Sequence, residues 1–176
     1  KDVTVTATDK IRVNGSGGKR ATEVLASLIG DGKDVKKQLV TYTTNADGKL
    51  TAINIAKDNT ANGNADSSNF TLNYILDDAI FNESTKKLGN VRVNEQTVIF
   101  NIPADSQDIT DYSIATIDMF EDKESYDVLV YDRAEDFTAK AIIVTNANFK
   151  TNADSPLAVV KSVSSGTNNN DEITDV

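Results

Sequence analysis

The stretch nearest to phosphate chemistry is Gly15-Ser16-Gly17-Gly18-Lys19-Arg20, placed between a strand pattern and a helical pattern where a phosphate-cradling loop would lie. A P-loop needs a wider spacing between its glycines and a hydroxyl directly after the lysine to hold magnesium. Here the spacing is shorter and Arg20 stands where the hydroxyl should be, so the segment reads as a flexible turn. Acidic pairs at Asp77-Asp78, Glu121-Asp122, Glu135-Asp136 and Asp171-Glu172 are the candidate cation ligands. Calcium needs about six to eight oxygens converging from one defined loop. Asn45-Ala46-Asp47-Gly48 offers two suitable side chains, but in a turn too short for the others. These carboxylates read as a solvated acidic surface. Two of them flanking a sugar bond would make a glycosidase, but such a site also wants aromatic platforms, and the chain has no Trp.

Cys and His are both absent. Disulfides, thiolate chemistry, the usual zinc sites and the commonest general base near neutral pH are excluded together. The net charge of −9 and the isoelectric point near 4.5 oppose phosphate backbones and anionic lipid, so neither nucleic acid nor membrane insertion is expected. No apolar run approaches the length of a membrane span. Tyr42 and Tyr131 read as core residues with the hydroxyl at a barrel rim. Asn14, Asn69 and Asn82 each begin an Asn-x-Ser/Thr triplet, a weak glycosylation pattern in a chain rich in Asn and Thr. The expectation is no catalytic residue, no cofactor and no metal site.

What would position any site is a set of short strands. Tyr126–Val144 reads as two strands joined by a polar turn, and Gln38–Ile55 reads as an earlier copy. A constant offset of 89 places Tyr42 on Tyr131, Asp47 on Asp136, Ala52 on Ala141 and Ile53 on Ile142. Asp47-Gly48 predicts a tight primed turn in the first hairpin. Before it lie alternating strands at Val3–Ala7 and Ile11–Val13, a turn over 14–20, and a helical pattern over 22–29 ended by Gly30-Asp31-Gly32. After it come a polar loop over 57–69, strands at Phe70–Ile75 and Ala79–Phe81, and a turn over 82–87. Val91 opens a second cycle: strands at Val91–Val93 and Val98–Ile102, a helical segment over 113–121, and the second hairpin. Asn152-Ala153-Asp154-Ser155 then repeats Asn64-Ala65-Asp66-Ser67. Only five of 34 residues are identical across 22–55 and 111–144, so the shared order of elements carries the duplication.

The two hairpins differ in one respect. The second face of the first is largely polar (Thr41, Thr43, Asn54), while Val128, Val130, Ala139, Ala141 and Ile143 make that of the second apolar. The second hairpin is therefore expected to be buried on both sides, as when one barrel packs on its neighbour. The predicted fold is all-β: two tandem small barrels, OB-like or SH3-like, over residues 1–88 and 89–176, each with one helical turn. Tandem Ig-like sandwiches are the alternative.

LVTYTTNADGKLTAINIA, TVIFNIPA, DYSIATIDMFEDKESYDVLVYDRAEDFTAKAIIV and SPLAVVKSV together resemble the repetitive β-rich regions of bacterial surface-layer proteins that carry S-layer homology domains, clostridial ones above all. The resemblance rests on hydrophobic patterns and turn residues and covers most of the chain. The anchoring domain itself is not in this sequence. The resemblance implies a non-catalytic structural segment of an exported cell-wall protein, extracellular, whose partners are other surface-layer subunits or domains. A module that binds cell-wall polysaccharide is the alternative. The start at Lys1 within a strand pattern reads as an excised piece of a longer protein.

The acidic surplus, 27 Asp and Glu against 18 Lys and Arg, generates the first prediction. Without a loop of the required ligand spacing, calcium should bind weakly and diffusely, and magnesium or salt should match its effect. Thermal melts in chelator, calcium and magnesium are the check. A large rise in Tm in micromolar calcium alone would reveal a specific site.

Overall fold

A computed structural model of the chain describes residues 6–20, 23–24, 39–63, 70–106, 108–146 and 149. The chain is all-β, with a separate four-stranded sheet and a curled half-barrel sheet of eight strands. Strand β1 (Ala7–Val13) turns at Asn14-Gly15 into β2 (Ser16–Lys19), which returns antiparallel. Both turn residues have positive φ, 50° and 73°, the conformation of a two-residue primed turn. Strands β3 (Val40–Thr44) and β4 (Leu50–Ile55) form the second hairpin. β4 also lies parallel beside β1, giving the order β2-β1-β4-β3. The Asn14 amide oxygen accepts from Ile55 N at 2.8 Å, tying the first turn to the end of β4.

Two readings of this half are corrected. The expected turn over 14–20 is only Asn14-Gly15, because Ser16–Lys19 pairs as a strand. Gly18 lets that strand approach: a Cβ there would sit 2.9 Å from that of Lys10. At Asn45–Gly48 only Gly48 has positive φ, and Asn45 N bonds Lys49 O at 2.9 Å. This is a three-residue loop with glycine at the bulge position rather than the primed turn predicted from Asp47-Gly48. The Asn45 side chain stabilises it by accepting from both Asp47 N and Lys49 N.

The larger sheet comprises β5 (Lys57–Asp58), β6 (Thr71–Asn82), β7 (Lys87–Leu88), β8 (Val91–Arg92), β9 (Val98–Asn101), β10 (Ser113–Ala115), β11 (Ser125–Tyr131) and β12 (Ala141–Val144). Its order is β10-β9-β12-β11-β6-β7-β8, with β5 parallel beside β6. The first four strands repeat the order and directions of the small sheet. Two hairpins are joined through a parallel pair, β9 with β12 as β1 with β4. The division expected at 88/89 falls inside this sheet, since β7 ends at Leu88 and bonds β8 beyond it.

Helical content is confined to short turns. Glu23 and Val24 are helical, while the rest of the predicted 22–29 segment lies outside the described residues. In the predicted 113–121 segment only Ile117–Met119 turns, as a 3-10 helix, and Ser113–Ala115 is instead strand β10. The strand pattern at Val3–Ala7 is described only from residue 6, and there β1 runs unbroken to Val13. The repeated Asn-Ala-Asp-Ser stretches and Asp171-Glu172 also lie outside.

The register corrects the alignment of the copies. Ile53 and Ile142 do correspond, but their cross-strand partners are Tyr42 and Val130, so Tyr42 does not match Tyr131. A one-residue slip exchanges the faces of a strand. Val128 and Val130 therefore point into the core with Val144 and Ile142, and the opposite face carries Leu129, Tyr131, Ala141 and Ile143. Tyr131 is buried and stacked on Phe70, whereas Tyr42, expected in the core, is 53 % exposed.

Each sheet has its own core. The small one gathers Ile11, Val13, Val24 and Ile53. The large one runs from Ala79 and Phe81 through Ile99, Val130, Ile142 and Val144, and closes with Phe81, Phe120, Tyr126 and Phe149 in mutual ring contact. Replacing the fully buried Ile142 by Ala should cost about 2–5 kcal/mol through lost burial and a cavity. The same change at exposed Ile114 should stay within about 0.5 kcal/mol. Urea unfolding of the two variants measures the contrast.

Candidate functional site

The pairing registers place five apolar side chains in one row across the face opposite the core. Ile114 of β10 pairs Phe100 of β9, which pairs Ile143 of β12, then Leu129 of β11, then Ile75 of β6. Partners in register project to the same side, so the row is continuous. Its two ends are open, Ile114 at 72 % and Ile75 at 58 % exposure, and Val98 and Ile80 add further exposed apolar surface. Such a row wets poorly. Ile143 at its middle is buried and Phe100 and Leu129 are half-buried, so the exposed apolar surface lies at the ends, and exposed apolar surface of this kind marks contact sites.

Just past the end of β11 lies a buried cation. Arg133 follows β11 and is 7 % exposed. Its Nε donates to Gly63 O at 3.0 Å and Nη1 donates to Ala134 O. The guanidinium stacks on the Phe137 ring at 4.4 Å and lies 5.6 Å from that of Tyr74. Arg133 N donates to the buried Asn73 side chain. Carbonyl oxygens and ring faces replace a carboxylate as partners for this charge, and they pin the turn at 59–63 to the sheet. This arrangement holds structure and offers no nucleophile.

The acidic pairs disperse. Glu83 N donates to Asp122, and Asp78 N donates to Asp127, so these carboxylates tie distant segments of the large sheet together. Among the described residues no three carboxylates converge on a point that could hold a metal ion. Asp58, Asp108 and Asp136 each begin an Asp-x-Thr turn, accepting from the backbone N–H of the Thr two residues on. Those bonds hold their carboxyls below the ordinary aspartate range, with the Thr hydroxyls assisting. Burial pushes the Tyr131 and Tyr126 phenols up, and the Tyr126 oxygen accepts from Glu121 N.

The other sequence candidates are likewise structural. Lys19 and the glycines of 15–18 belong to the first hairpin and enclose no anion cradle. Asn14 uses its side chain to tie the first turn to β4, Asn82 uses its own to close a turn, and Asn69 lies outside the described residues. An open groove of about 800 Å³ runs past Lys86, Lys87, Arg92, Glu95 and Asp118, where opposite charges alternate without converging. Sequence reasoning missed the outer row and the Arg133 knot. The row's signal was present in the unbroken apolar run of β12, Ala141–Val144. Arg133 gave none, since it stands in a polar turn.

No protein-family model matches the chain, and neither does any curated protein or solved structure.

Gly63 is the weak point of the knot. Its φ is +60°, and a Cβ there would meet the Tyr74 ring at 2.6 Å. Gly63→Ala should destabilise the chain by about 1–3 kcal/mol through backbone strain and displacement of the ring. Gly15→Ala, equally left-handed but with open space around it, should cost only the strain. Comparing their denaturation midpoints separates the two effects.

Proposed function

We propose that the chain is a non-catalytic structural segment of an exported bacterial cell-surface protein, of the surface-layer kind, working through protein–protein contacts and spacing. The observation that carries this reading is the apolar row Ile114–Phe100–Ile143–Leu129–Ile75. A monomer gains nothing from exposing its ends, Ile114 and Ile75, whereas a module packed among others buries them at about 25 cal/mol per Å². Paired sheets and side chains that serve turns support the same reading, because they suit a spacer more than a catalyst. The acidic surface keeps unassembled copies apart in solution.

The test uses the whole chain. Sedimentation over a range of concentrations should show reversible association. Ile75→Lys combined with Ile114→Lys should abolish it, while thermal stability stays close to that of the parent because both sites are exposed. A pull-down on cell-wall polysaccharide is the opposing arm. Saturable binding there, with no self-association, would replace this reading with that of a wall-binding module.

A further inference from the structure

The shared strand order exposes an asymmetry between the sheets. In the large sheet, β11 is bonded on one side to β12 and on the other to β6, which runs antiparallel to it. In the small sheet, β3 holds the place of β11 and bonds β4, but among the described residues its other edge has no partner. The core rows show what is missing. Ile99, Ile142 and Val130 lie in register across the large sheet, and the row is completed by Tyr74 of β6. The small sheet has Val13, Ile53 and Tyr42, and among the described residues the row stops there. Val130 is fully buried, while Tyr42, in the equivalent place and on the core side, is 53 % exposed.

We infer that the edge of β3 away from β4, unpaired among the described residues, is an acceptor for an extended polypeptide strand supplied by another unit of this same kind. That strand runs antiparallel to β3 and covers Tyr42 as β6 covers Val130. β6 fills the equivalent edge in the large sheet, so the occupant has a precedent in this molecule. Its chemistry follows from β6: an aromatic or aliphatic side chain at alternate positions on the core side, as Tyr74 and Leu76 opposite Val130 and Val128. β3 is suited to accept it. Its sequence, Val-Thr-Tyr-Thr-Thr, carries no charge and no proline, the usual devices that keep an edge strand single. The other edges are blunted, β2 by Lys19, β8 by Arg92 and β10 by its three-residue length. Addition of a strand to such an edge draws affinity from backbone hydrogen bonds and specificity from alternate side chains.

The inference refines the assembly reading above and rests on it, but names a different contact. The experiment titrates the full, nitrogen-15-labelled chain with a synthetic peptide of the β6 sequence, Thr71–Asn82. Expected are saturable shifts at the amides of 40–44 with half-saturation below about 1 mM, weakened at least about tenfold by Tyr42→Lys. Tyr42 is exposed, so that variant should keep its melting behaviour. A peptide carrying Tyr74→Lys and Leu76→Lys should not bind. The Ile75→Lys, Ile114→Lys chain should still take up the parent peptide, so edge pairing and outer-face association fail separately. The inference is overturned by the absence of saturable shifts, by equal shifts in Tyr42→Lys, by shifts confined to β6 and β11, or by dimerisation through β3 itself.

Discussion

The contact on which the larger sheet depends is the pairing of β11 with strands on both of its sides. β11 takes β12 from later in the chain and β6 from about fifty residues earlier, and every buried residue of the row Ile99–Ile142–Val130–Tyr74 meets at that junction. Neither neighbour suffices alone. A hairpin of β11 and β12 is two strands with one wet side, and isolated hairpins are marginal in water. β6 supplies the third strand and the side chains that close the lateral edge of the core. The aromatic cluster of Phe81, Phe120, Tyr126 and Phe149 then seals one end, and Arg133 with its carbonyl and ring partners fastens the turn before β6 near the other.

Among the described residues the small sheet shows no such third contributor, and four buried residues form its core, against fifteen in the large one. The same strand order thus recurs in two settings: β11 is bonded on both sides, and β3, among the described residues, to β4 alone.

Much of this was legible in the chain. The all-β class, both hairpins and the recurrence of the order came from period-two alternation and turn residues, which are local signals. What was misread depended on register. Tyr42 and Tyr131 share a residue type and a constant offset, but the loop after β11 differs from the tight Asn45–Gly48 loop by enough to shift one strand against the other. Nothing in the alternation pattern fixes that shift, because Tyr126, Val128 and Val130 alternate as cleanly as Leu129 and Tyr131. The parallel pairings were also invisible, since β1 meets β4 across some forty residues and no local motif announces it. Asn14-Gly15 is the opposite case: its dipeptide is a strong hairpin signal that the surrounding glycines concealed. The candidate contact surface was half legible, as an apolar second face, and the residues that compose it became certain only from pairing.

The parallel pairing of β1 with β4 has a mechanical consequence. The chain enters the small sheet at Ala7 and leaves it at Ile55, and these two strands lie side by side pointing the same way. The start of one and the finish of the other are therefore at opposite ends of the sheet. Tension along the polypeptide slides β1 past β4 lengthwise, so their bonds are loaded together in shear. A hairpin pulled from its two adjacent ends would instead unzip one bond at a time. For a unit joined in series with others and exposed to drag, that geometry resists extension in the direction in which the load arrives.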